Sequence, residues 1–538
     1  MRIALAQINS TLGSFESNAE KIIKYTADAK NRRCELVVFP EMALFGYRTS
    51  DLLERKSVVV QQLTQIGKIQ KKIPEGITLI FGAVTKNPSK RGKPYFNSAV
   101  VLSKNSKPKT FNKQLLPTYD VFDEYRHLEH GETNKNIIKI KNKKILITVC
   151  EDIWAWEMPG TRNPYPANPL TNIKGKFDLV VNISASPFSL NKEKDRLFVT
   201  RQTAKQFKAP MVYVNTVGAQ DELVFDGGSF ALDKAGNIIS QCVRFAEDLN
   251  VADFSERAGG FRSQKLEQTE TIRQALVLGI KDFANKTGLS RAHLGLSGGI
   301  DSAVVACLAV DALGPSKVTT FALPGPYSAT QSFDLAKKLA KEIHVELKEI
   351  EIRSAYETIV RQLENTFDSL EFGTVHENIQ SRLRGLYLMA FTNYKNSLLL
   401  STSNKDEYAA GYTTLYGDMC GGLAPIGDLL KGQVYDLANL YNKQTEIIPR
   451  EIIERVPTAE LRPNQKDQDT LPPYDDLDKA VRNLVQKKLN AKTKSEKWLL
   501  QALMKSEFKR WQAPPILRVT EHAFGRGRNF PIAHKAFF

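Results

Sequence analysis

Residues 293–305 read "HLGLSGGIDSAVV", with Gly298 and Gly299 between two apolar runs and Ser297, Asp301 and Ser302 at their flanks. Glycines let successive backbone N–H groups converge on one point, and a helix N-terminus adds partial positive charge. The hydroxyls of Ser297 and Ser302 add donors. Gly295, Leu296, Ser297, Gly298, Gly299, Ile300, Asp301 and Ser302 thus read as an oxyanion cradle. A carboxylate at Asp301 repels phosphate unless it holds Mg²⁺ that also touches the phosphate. No G-x-x-x-x-G-K-[ST] stretch occurs, so this is not a Walker loop. A loop without that lysine suits a different cut, in which pyrophosphate leaves as a unit and AMP passes to the acceptor.

A second set of reactive types lies in the first half: Glu41 in "VVFPEMALFGY", Lys113 in "FNKQLLPTYDVFDE" and Cys150 in "ILITVCEDIW". Each sits at or near a strand end, where separate strands can bring them together. A thiol needs a base to become a nucleophile near neutral pH. Glu41 takes the proton if burial raises its pKa, and Lys113 stabilises the oxyanion of a tetrahedral intermediate. Glu124 reads either as a second carboxylate beside these three or as a surface ion pair.

The elements that must position these residues follow from the apolar pattern. In the first half, "RIALAQI", "ELVVFPEMAL", "TLIFGAV", "NSAVVLS", "KILITVC", "DLVVNIS", "PMVYVN" and "GGSFALD" read as strands, with the helix "NAEKIIKYTADAKNRR" between the first two. Periodicity is lost in "ADFSERAGGFRSQ", which places a linker at about residues 252–265 and domains at 1–255 and 266–538. The second half restarts with the helix "LEQTETIRQALVLGIKDFANKTG". The strands "HLGLS", "VTTFALP", "HVELKEIEI" and "SLLLSTS" then alternate with helices, the pattern of a doubly wound parallel sheet. From about residue 460 the chain reads as helices and loops wrapped on that sheet.

The chain has 538 residues, 42% hydrophobic and 25% charged, enough for two to four domains with large cores. No apolar stretch approaches the ~18 residues of a membrane span, and the N-terminus reads as a first strand rather than a signal peptide. The five cysteines, Cys34, Cys150, Cys242, Cys307 and Cys420, are scattered and form no metal-ligand spacing. A reducing cytoplasm fits them. The formal net charge of +16 is spread along the chain without a nucleic-acid module, so it reads first as a solvated lysine-rich surface, next as a match to small anionic substrates and last as a nucleic-acid surface.

"SGGIDS" resembles the loop of the ATP-pyrophosphatase ligases, which activate a carboxyl or carbonyl oxygen with AMP. "STSNKDEYAAGYTTLYGDMCGGLAPIGDLLKGQVYDL", "ENIQSRLRG" and "EFKRWQAPP" resemble, within that group, the NAD synthetase core. NKSE is the usual reading where this chain has Asp406 in place of the serine. The resemblance implies ATP contact at Thr402 and deamido-NAD contacts at Asn378, Glu407 and Lys509. It also implies Mg²⁺ held by Asp301 and Glu407 on the departing pyrophosphate. Lys431 is a candidate to neutralise the α-phosphate and Asp418 to help receive ammonia; solvated surface is the other reading of Lys431 and Lys509. Arg382 and Arg384 read as phosphate contacts or as a solvent-facing helix.

The Glu41, Lys113 and Cys150 motifs resemble the nitrilase (carbon–nitrogen hydrolase) family over residues 1–255, implying an αββα sandwich and amide cleavage. Tyr119, Ser186 and Lys192 match glutamine-binding positions of the amidase half of glutamine-dependent NAD synthetases. Asn191 stands where that half usually has glycine, and asparagine tolerates the same left-handed backbone. The implied activity is ATP-dependent amidation of deamido-NAD to NAD, through an adenylated intermediate, with ammonia from L-glutamine. A homo-oligomer, dimer or larger, is implied as well. Another amidase-coupled adenylating ligase and a non-catalytic nucleotide binder are the competing readings.

Overall fold

The computed structural model describes residues 1–160, 162–254, 266–367, 370–534 and 536. The chain divides into two compact units, Met1–Lys265 and Leu266–Phe538. The strands of the first unit are β1 (Arg2–Gln7), β2 (Leu36–Val38), β3 (Thr78–Lys86), β4 (Tyr95–Leu102), β5 (Lys109–Asn112), β6 (Ile137–Ile140) and β7 (Lys143–Val149), then β8 (Leu179–Ser184), β9 (Met211–Asn215), β10 (Val217–Gln220), β11 (Leu223–Asp226), β12 (Phe230–Leu232), β13 (Ile238–Gln241) and β14 (Asp248–Asp253). Helices α1 (Phe15–Asn31), α2 (Lys56–Lys72) and α3 (Lys192–Phe207) complete it.

Two six-stranded sheets result, ordered β14-β1-β2-β3-β4-β5 and β13-β12-β9-β8-β7-β6. Side chains alternate across a strand, so each sheet has two apolar faces to bury. In β1, Ile3 and Leu5 enter a core shared with Ile145, Ile147, Val181 and Val212 of the other sheet. Ala4 and Ala6 point the opposite way, toward Ile22 of α1 and Ile69 of α2. In β7, Leu146 leaves the shared core and packs with Val199 and Phe207 of α3. The layers are therefore helix, sheet, sheet, helix. β2 and β3 run parallel while β4 reverses and β5 reverses again, so β2 and β5 end at the same edge.

The linker begins later than the sequence pattern suggests. Ala252 and Asp253 still pair with Ile3 and Arg2 across β14 and β1, because the alternating pattern survives there despite the acidic residues. Residues 255–265 of that stretch lie outside the described residues.

The second unit contains α4 (Gln268–Lys286), β15 (Ala292–Gly295), α5 (Ile300–Leu313), β16 (Val318–Ala322), α6 (Thr330–Glu342), β17 (Glu346–Glu349), α7 (Arg353–Glu364), α8 (Thr374–Lys395), β18 (Leu398–Leu399), α9 (Lys405–Ala410), α10 (Lys431–Tyr441), α11 (Arg450–Glu454), α12 (Tyr474–Val481) and α13 (Lys494–Arg510). Its sheet is wholly parallel, in the order β17-β16-β15-β18. The chain winds outward from β15 in both directions. The carboxyl ends of β15 and β18 thus flank a topological switch point, where open α/β sheets bind ligands. Leu477 of α12, Leu499 and Leu503 of α13, and Ile516 share a core with Tyr408 of α9, which places the C-terminal helices behind that edge.

Candidate functional site

In the first unit, Glu41 follows β2, Lys113 follows β5 directly, and Cys150 follows β7 directly. The Lys113 ammonium donates to Glu41 Oε1 at 2.8 Å and to both oxygens of Glu124 at 2.8 and 2.9 Å. Glu41 is fixed further by Asn97 Nδ2 on Oε1 at 2.7 Å and by the Ala185 N–H on Oε2 at 2.8 Å. The Tyr47 hydroxyl donates to Glu124 Oε1 at 3.0 Å. Glu41 and Lys113 are each only 1% exposed, so this charge network is dry and its Coulomb interactions are strong. Glu124 is the second carboxylate of this site and not a surface ion pair.

Burial sets the electrostatics. It opposes the Lys113 charge, but Glu124 and Glu41 overcome it and hold the ammonium well above the usual lysine value. Burial raises Glu124 to about 7 against the pull of Lys113. Burial and then Glu41 push the Cys150 thiol well up, with Lys113 opposing, so the sulfur rests protonated and needs a base. Cys150 takes φ of +40°, a left-handed turn that bends the chain off β7.

Asp152 ties this turn to the Lys113 segment. Its Oδ1 accepts from the Gln114 and Leu115 N–H groups at 2.9 and 3.0 Å, and its Oδ2 accepts from Val149 N–H at 3.0 Å. Burial raises it to about 6 despite those donors. Glu151 Oε1 accepts from the hydroxyls of Tyr119 and Tyr165 at 2.6 and 2.7 Å. Sequence reasoning missed Glu151, Asp152 and Tyr165; the "CEDIW" acids beside the cysteine were the available signal.

The predicted glutamine contacts gather around Cys150. Tyr119 is bonded to Glu151, the residue next to Cys150, and Lys192 feels the charge of the same carboxylate. The Lys192 ammonium lies 4.0 Å from the centre of the Trp154 ring, and burial lowers its pKa. Asn191 before it has φ of +72°, the conformation glycine would supply. Ser186 is committed to structure: its N–H donates to Asn215 Oδ1 at 2.8 Å, and Arg196 donates to its hydroxyl and carbonyl at 3.3 and 2.8 Å.

In the second unit, the turn between β15 and α5 closes on itself. Ser297 N–H donates to Ser302 Oγ at 3.2 Å, Ser302 Oγ donates to Gly299 O at 3.0 Å, and Gly299 N–H donates to Ser297 Oγ at 3.3 Å. Gly298 has φ of +78°, and a Cβ there would lie 2.3 Å from Ser332 O of α6, so only glycine fits.

Asp301 sits in the first turn of α5. Its Oδ1 accepts from Asn404 Nδ2 at 3.0 Å, and its Oδ2 is bonded by the Lys431 ammonium. Asn404 caps α9. Its Oδ1 accepts from Glu407 N–H at 3.0 Å, and its own N–H donates to Glu407 Oε2 at 3.1 Å. Asn404 therefore bridges the ends of β15 and β18. Lys431, the first residue of α10, is 2% exposed and not a solvated lysine. Burial opposes its charge, while Asp301 and Glu407 hold it protonated. Glu407 is pushed well above the carboxylate range by burial and then by Asp301. Thr402 follows Ser401, whose N–H donates to Leu423 O at 2.9 Å, at the carboxyl end of β18.

Asn378, Asp418 and Lys509 converge elsewhere, on the loop 411–418 after α9. Asn378 Oδ1 accepts from Thr414 Oγ1 at 2.7 Å, and Asp418 Oδ1 accepts from Thr414 N–H at 2.6 Å. Lys509 donates to the Gly411 and Thr413 carbonyls at 2.8 and 2.6 Å, and burial lowers its pKa. Arg382 is exposed, with its Nε on Leu415 O at 3.2 Å. Arg384 turns inward, donates to Leu323 O at 2.9 Å, and is lowered to about 10 by burial. The solvent-facing reading of this pair therefore holds for Arg382 and not for Arg384.

Residues 2–263 match the family model for carbon-nitrogen hydrolases, and residues 272–513 match the model for NAD synthase. The glutamine-dependent NAD(+) synthetase of a Synechocystis strain is 43% identical over 548 residues, covering 99% of this chain and 98% of that protein. The structure of glutamine-dependent NAD+ synthetase from Acinetobacter baumannii in complex with ADP superposes with a TM-score of 0.78 at 32% identity, covering 99% and 98% of the two chains. The corresponding structure from Cytophaga hutchinsonii has a TM-score of 0.82 at 21% identity over the same shares, a likeness of fold.

Proposed function

The chain belongs to the glutamine-dependent NAD(+) synthetase family, and from that premise we propose how its two units divide the reaction. It amidates deamido-NAD to NAD at the expense of ATP, taking nitrogen from glutamine, and is a carbon–nitrogen ligase of NAD biosynthesis. Residues 1–255 act as the glutaminase and residues 266–538 as the synthetase.

In the glutaminase, Cys150 Sγ attacks the side-chain amide carbon of glutamine while Glu41 takes the thiol proton. Lys113 already spends its three donors on carboxylate oxygens; one of its two Glu124 contacts passes to the oxyanion as it forms. Ammonia leaves, and water hydrolyses the thioester to glutamate. Tyr119 and Lys192 receive the substrate, and Ser186 shapes the wall behind it through Arg196 and Asn215.

In the synthetase, the turn from Gly295 to Ser302, with Thr402, holds the ATP phosphates. The dinucleotide carboxylate attacks the α-phosphorus, pyrophosphate leaves, and ammonia displaces AMP from the resulting mixed anhydride. Lys431 neutralises charge at the α-phosphate. Asn378, Glu407 and Lys509 take the dinucleotide, and Asp418 orders the loop that ammonia must approach. Two carboxylates, Asp301 and Glu407, meet only one ammonium, so the residues present fit a hard divalent cation, Mg²⁺. When bound there it would supply charge neutralisation on the departing pyrophosphate.

The observation that carries this division is the pairing, in one chain, of a buried Lys113 bonded to Glu41 and Glu124 beside Cys150 with a glycine turn whose Asp301 meets Lys431. Cys150→Ala tests it. Glutamine-supported NAD formation is lost and ammonia-supported formation is kept; equal loss of both would overturn the division.

The chain acts as a homo-oligomer, a dimer or larger. Leu386, Met389, Tyr416 and Trp511 are exposed, and Gly385 and Gln512 bring their segments against the Tyr416 loop, which supports a second copy as the cover. Light scattering of the full chain reads this directly. The five cysteines are all free, which supports a cytoplasmic site, and no helix among the described residues is long and apolar enough to cross a membrane.

A further inference from the structure

Ser186 follows Ala185, whose N–H holds Glu41 Oε2, so it stands beside the amide-cleaving site. Nearly every polar group of Ser186 is already taken. Its N–H donates to Asn215 Oδ1 at 2.8 Å. Its carbonyl accepts from Arg196 Nη2 at 2.8 Å and from Asn215 Nδ2 at 3.3 Å, and its Oγ accepts from Arg196 Nε at 3.3 Å. A guanidinium carries donors and no acceptor. The Ser186 hydroxyl can therefore only accept from Arg196, and its own hydrogen must turn elsewhere. Among the described residues no protein acceptor takes that hydrogen.

Arg196 is fixed in its turn. It is 3% exposed, and its Nη1 donates at 2.6 Å to Oδ1 of Asp226, which is 1% exposed and ends β11. Arg244 donates to the other oxygen of Asp226 from Nε at 3.2 Å and from Nη2 at 3.0 Å. Asp226 thus carries one guanidinium on each oxygen. Arg196 Nη2 also donates to Pro187 O at 3.1 Å. Its planar fork therefore spans Asp226 on one side and Ser186 and Pro187 on the other, a geometry that a lysine ammonium does not reproduce. The base side of the segment is anchored without Arg196. Ser184 pairs with Asn215 between β8 and β9, and Thr216 N–H donates to Ser184 O at 3.1 Å.

We propose that Arg196, locked by Asp226, is a positioning residue for glutamine: it makes the Ser186 hydroxyl a donor to an acceptor oxygen of the bound substrate. Ser186 thereby adds a directed hydrogen bond to the wall it forms. Lys192 and Arg196 are spaced i,i+4 on α3, so one helix face carries both the cation that receives the substrate and the cation that orients the serine. The inference rests on the glutaminase reading of the first unit and adds to it a pair drawn from α3 and β11.

The test is a double-mutant cycle of Ser186→Ala and Arg196→Lys in the full chain, with glutamate release giving kcat and KM for glutamine. Ser186→Ala removes the donor, so KM should rise about tenfold while kcat stays within about threefold. Arg196→Lys keeps a charge opposite Asp226 and loses the fork, so it should do the same. Because Arg196 acts through Ser186, KM in the double variant should lie within about twofold of the poorer single. The proposal is overturned if the two effects multiply, if Ser186→Ala leaves KM unchanged, or if Arg196→Lys lowers kcat without raising KM. Where thermal melting shows Arg196→Lys unfolded, Asp226→Asn takes its place in the cycle. That variant keeps the volume and one acceptor, and it should raise KM about threefold, again without adding to Ser186→Ala. Effects that multiply there overturn the proposal equally. Failure of the unsubstituted chain to release glutamate from glutamine would instead overturn the glutaminase reading.

Discussion

Each unit holds a buried lysine set between two carboxylates, Lys113 bonded to both of its partners and Lys431 to one, and the two are supported differently. Lys113 binds Glu41 and Glu124, and those carboxylates are also held by Asn97, the Ala185 N–H and Tyr47. Lys431 binds Asp301 and holds its charge against Glu407, and Asn404 bonds both carboxylates. The first arrangement is closed: strand ends from two sheets and several neutral donors fix groups that perform chemistry themselves. The second leaves room for borrowed charge, because one asparagine and one lysine steady two acids at a sheet switch point, the place proposed here for a polyphosphate and its cation. On the proposed reading, the same charge inventory would serve a covalent nucleophile in one unit and a metal-assisted leaving group in the other.

The sharpest way to break this contrast is Asp301→Ala. If the second site depends on borrowed charge, synthesis from either glutamine or ammonia should fall by about a thousandfold or more. Retained synthesis from ammonia would show that the acid pair is not needed. Isothermal titration with Mn²⁺ in the presence of ATP gives a reading independent of turnover, and the variant should lose the binding heat.

Next in size is Gly298→Ala. The added carbon meets Ser332 O at 2.3 Å in a backbone with φ of +78°, so the turn must shift away from α6. A displacement on the order of 1 Å at a phosphate site costs about a hundredfold in turnover. Glutamate release by the other unit should be unchanged. Full activity in this variant would show that the cradle does not need its present shape.

How far these sites were legible depends on how local their signals are. β3, β4, β7, β8 and β9 are runs of Val, Ile, Leu and Phe and stand out in the sequence. β5, "KTFN", does not: it is four residues long, half exposed, and bounded by lysine and asparagine. It nevertheless delivers Lys113. The glycine turn was legible because strand, turn and helix are contiguous. Glu124 was only half legible: "TYDVFDEYR" has the polarity of a surface loop, so the sequence left a second carboxylate and a surface ion pair both open, and the contacts with Lys113 and Tyr47 decide between them. The convergence of Asn378, Asp418 and Lys509 on loop 411–418 is a tertiary fact of the same kind.

Glu124→Gln tests whether the first site is as closed as described. Raised to about 7, Glu124 is ionised above that pH and neutral below it. As pH falls through about 7, Lys113 loses one of its two negative partners, and glutamine hydrolysis should fall with it. The glutamine variant is neutral throughout. It should hold a rate about tenfold or more below the native plateau and lack the limb near 7. The limb near 6 from Asp152, which loses acceptor strength toward three backbone N–H groups on protonation, should remain. A native profile flat from pH 6 to 8, measured as glutamate release, would remove Glu124 from the mechanism.

The smallest effect sharpens the comparison at the backbone. Both sites place a residue in the left-handed region, Gly298 in one and Asn191 in the other, but their surroundings differ. Gly298 is locked by α6 as well as by its φ, whereas Asn191 precedes Lys192 on an exposed turn. Only the dihedral therefore constrains position 191. Asn191→Gly should leave glutaminase kcat/KM within about twofold, since glycine enters this region at no steric cost. Asn191→Ala must accept φ of +72° with a Cβ, which costs about 1 kcal/mol. Part of that strain is relieved by moving Lys192 off the Trp154 ring, 4.0 Å away, so KM for glutamine should rise about three- to fivefold with kcat nearly unchanged. If alanine and glycine behave alike, the turn is free to relax and Lys192 does not take its place from it.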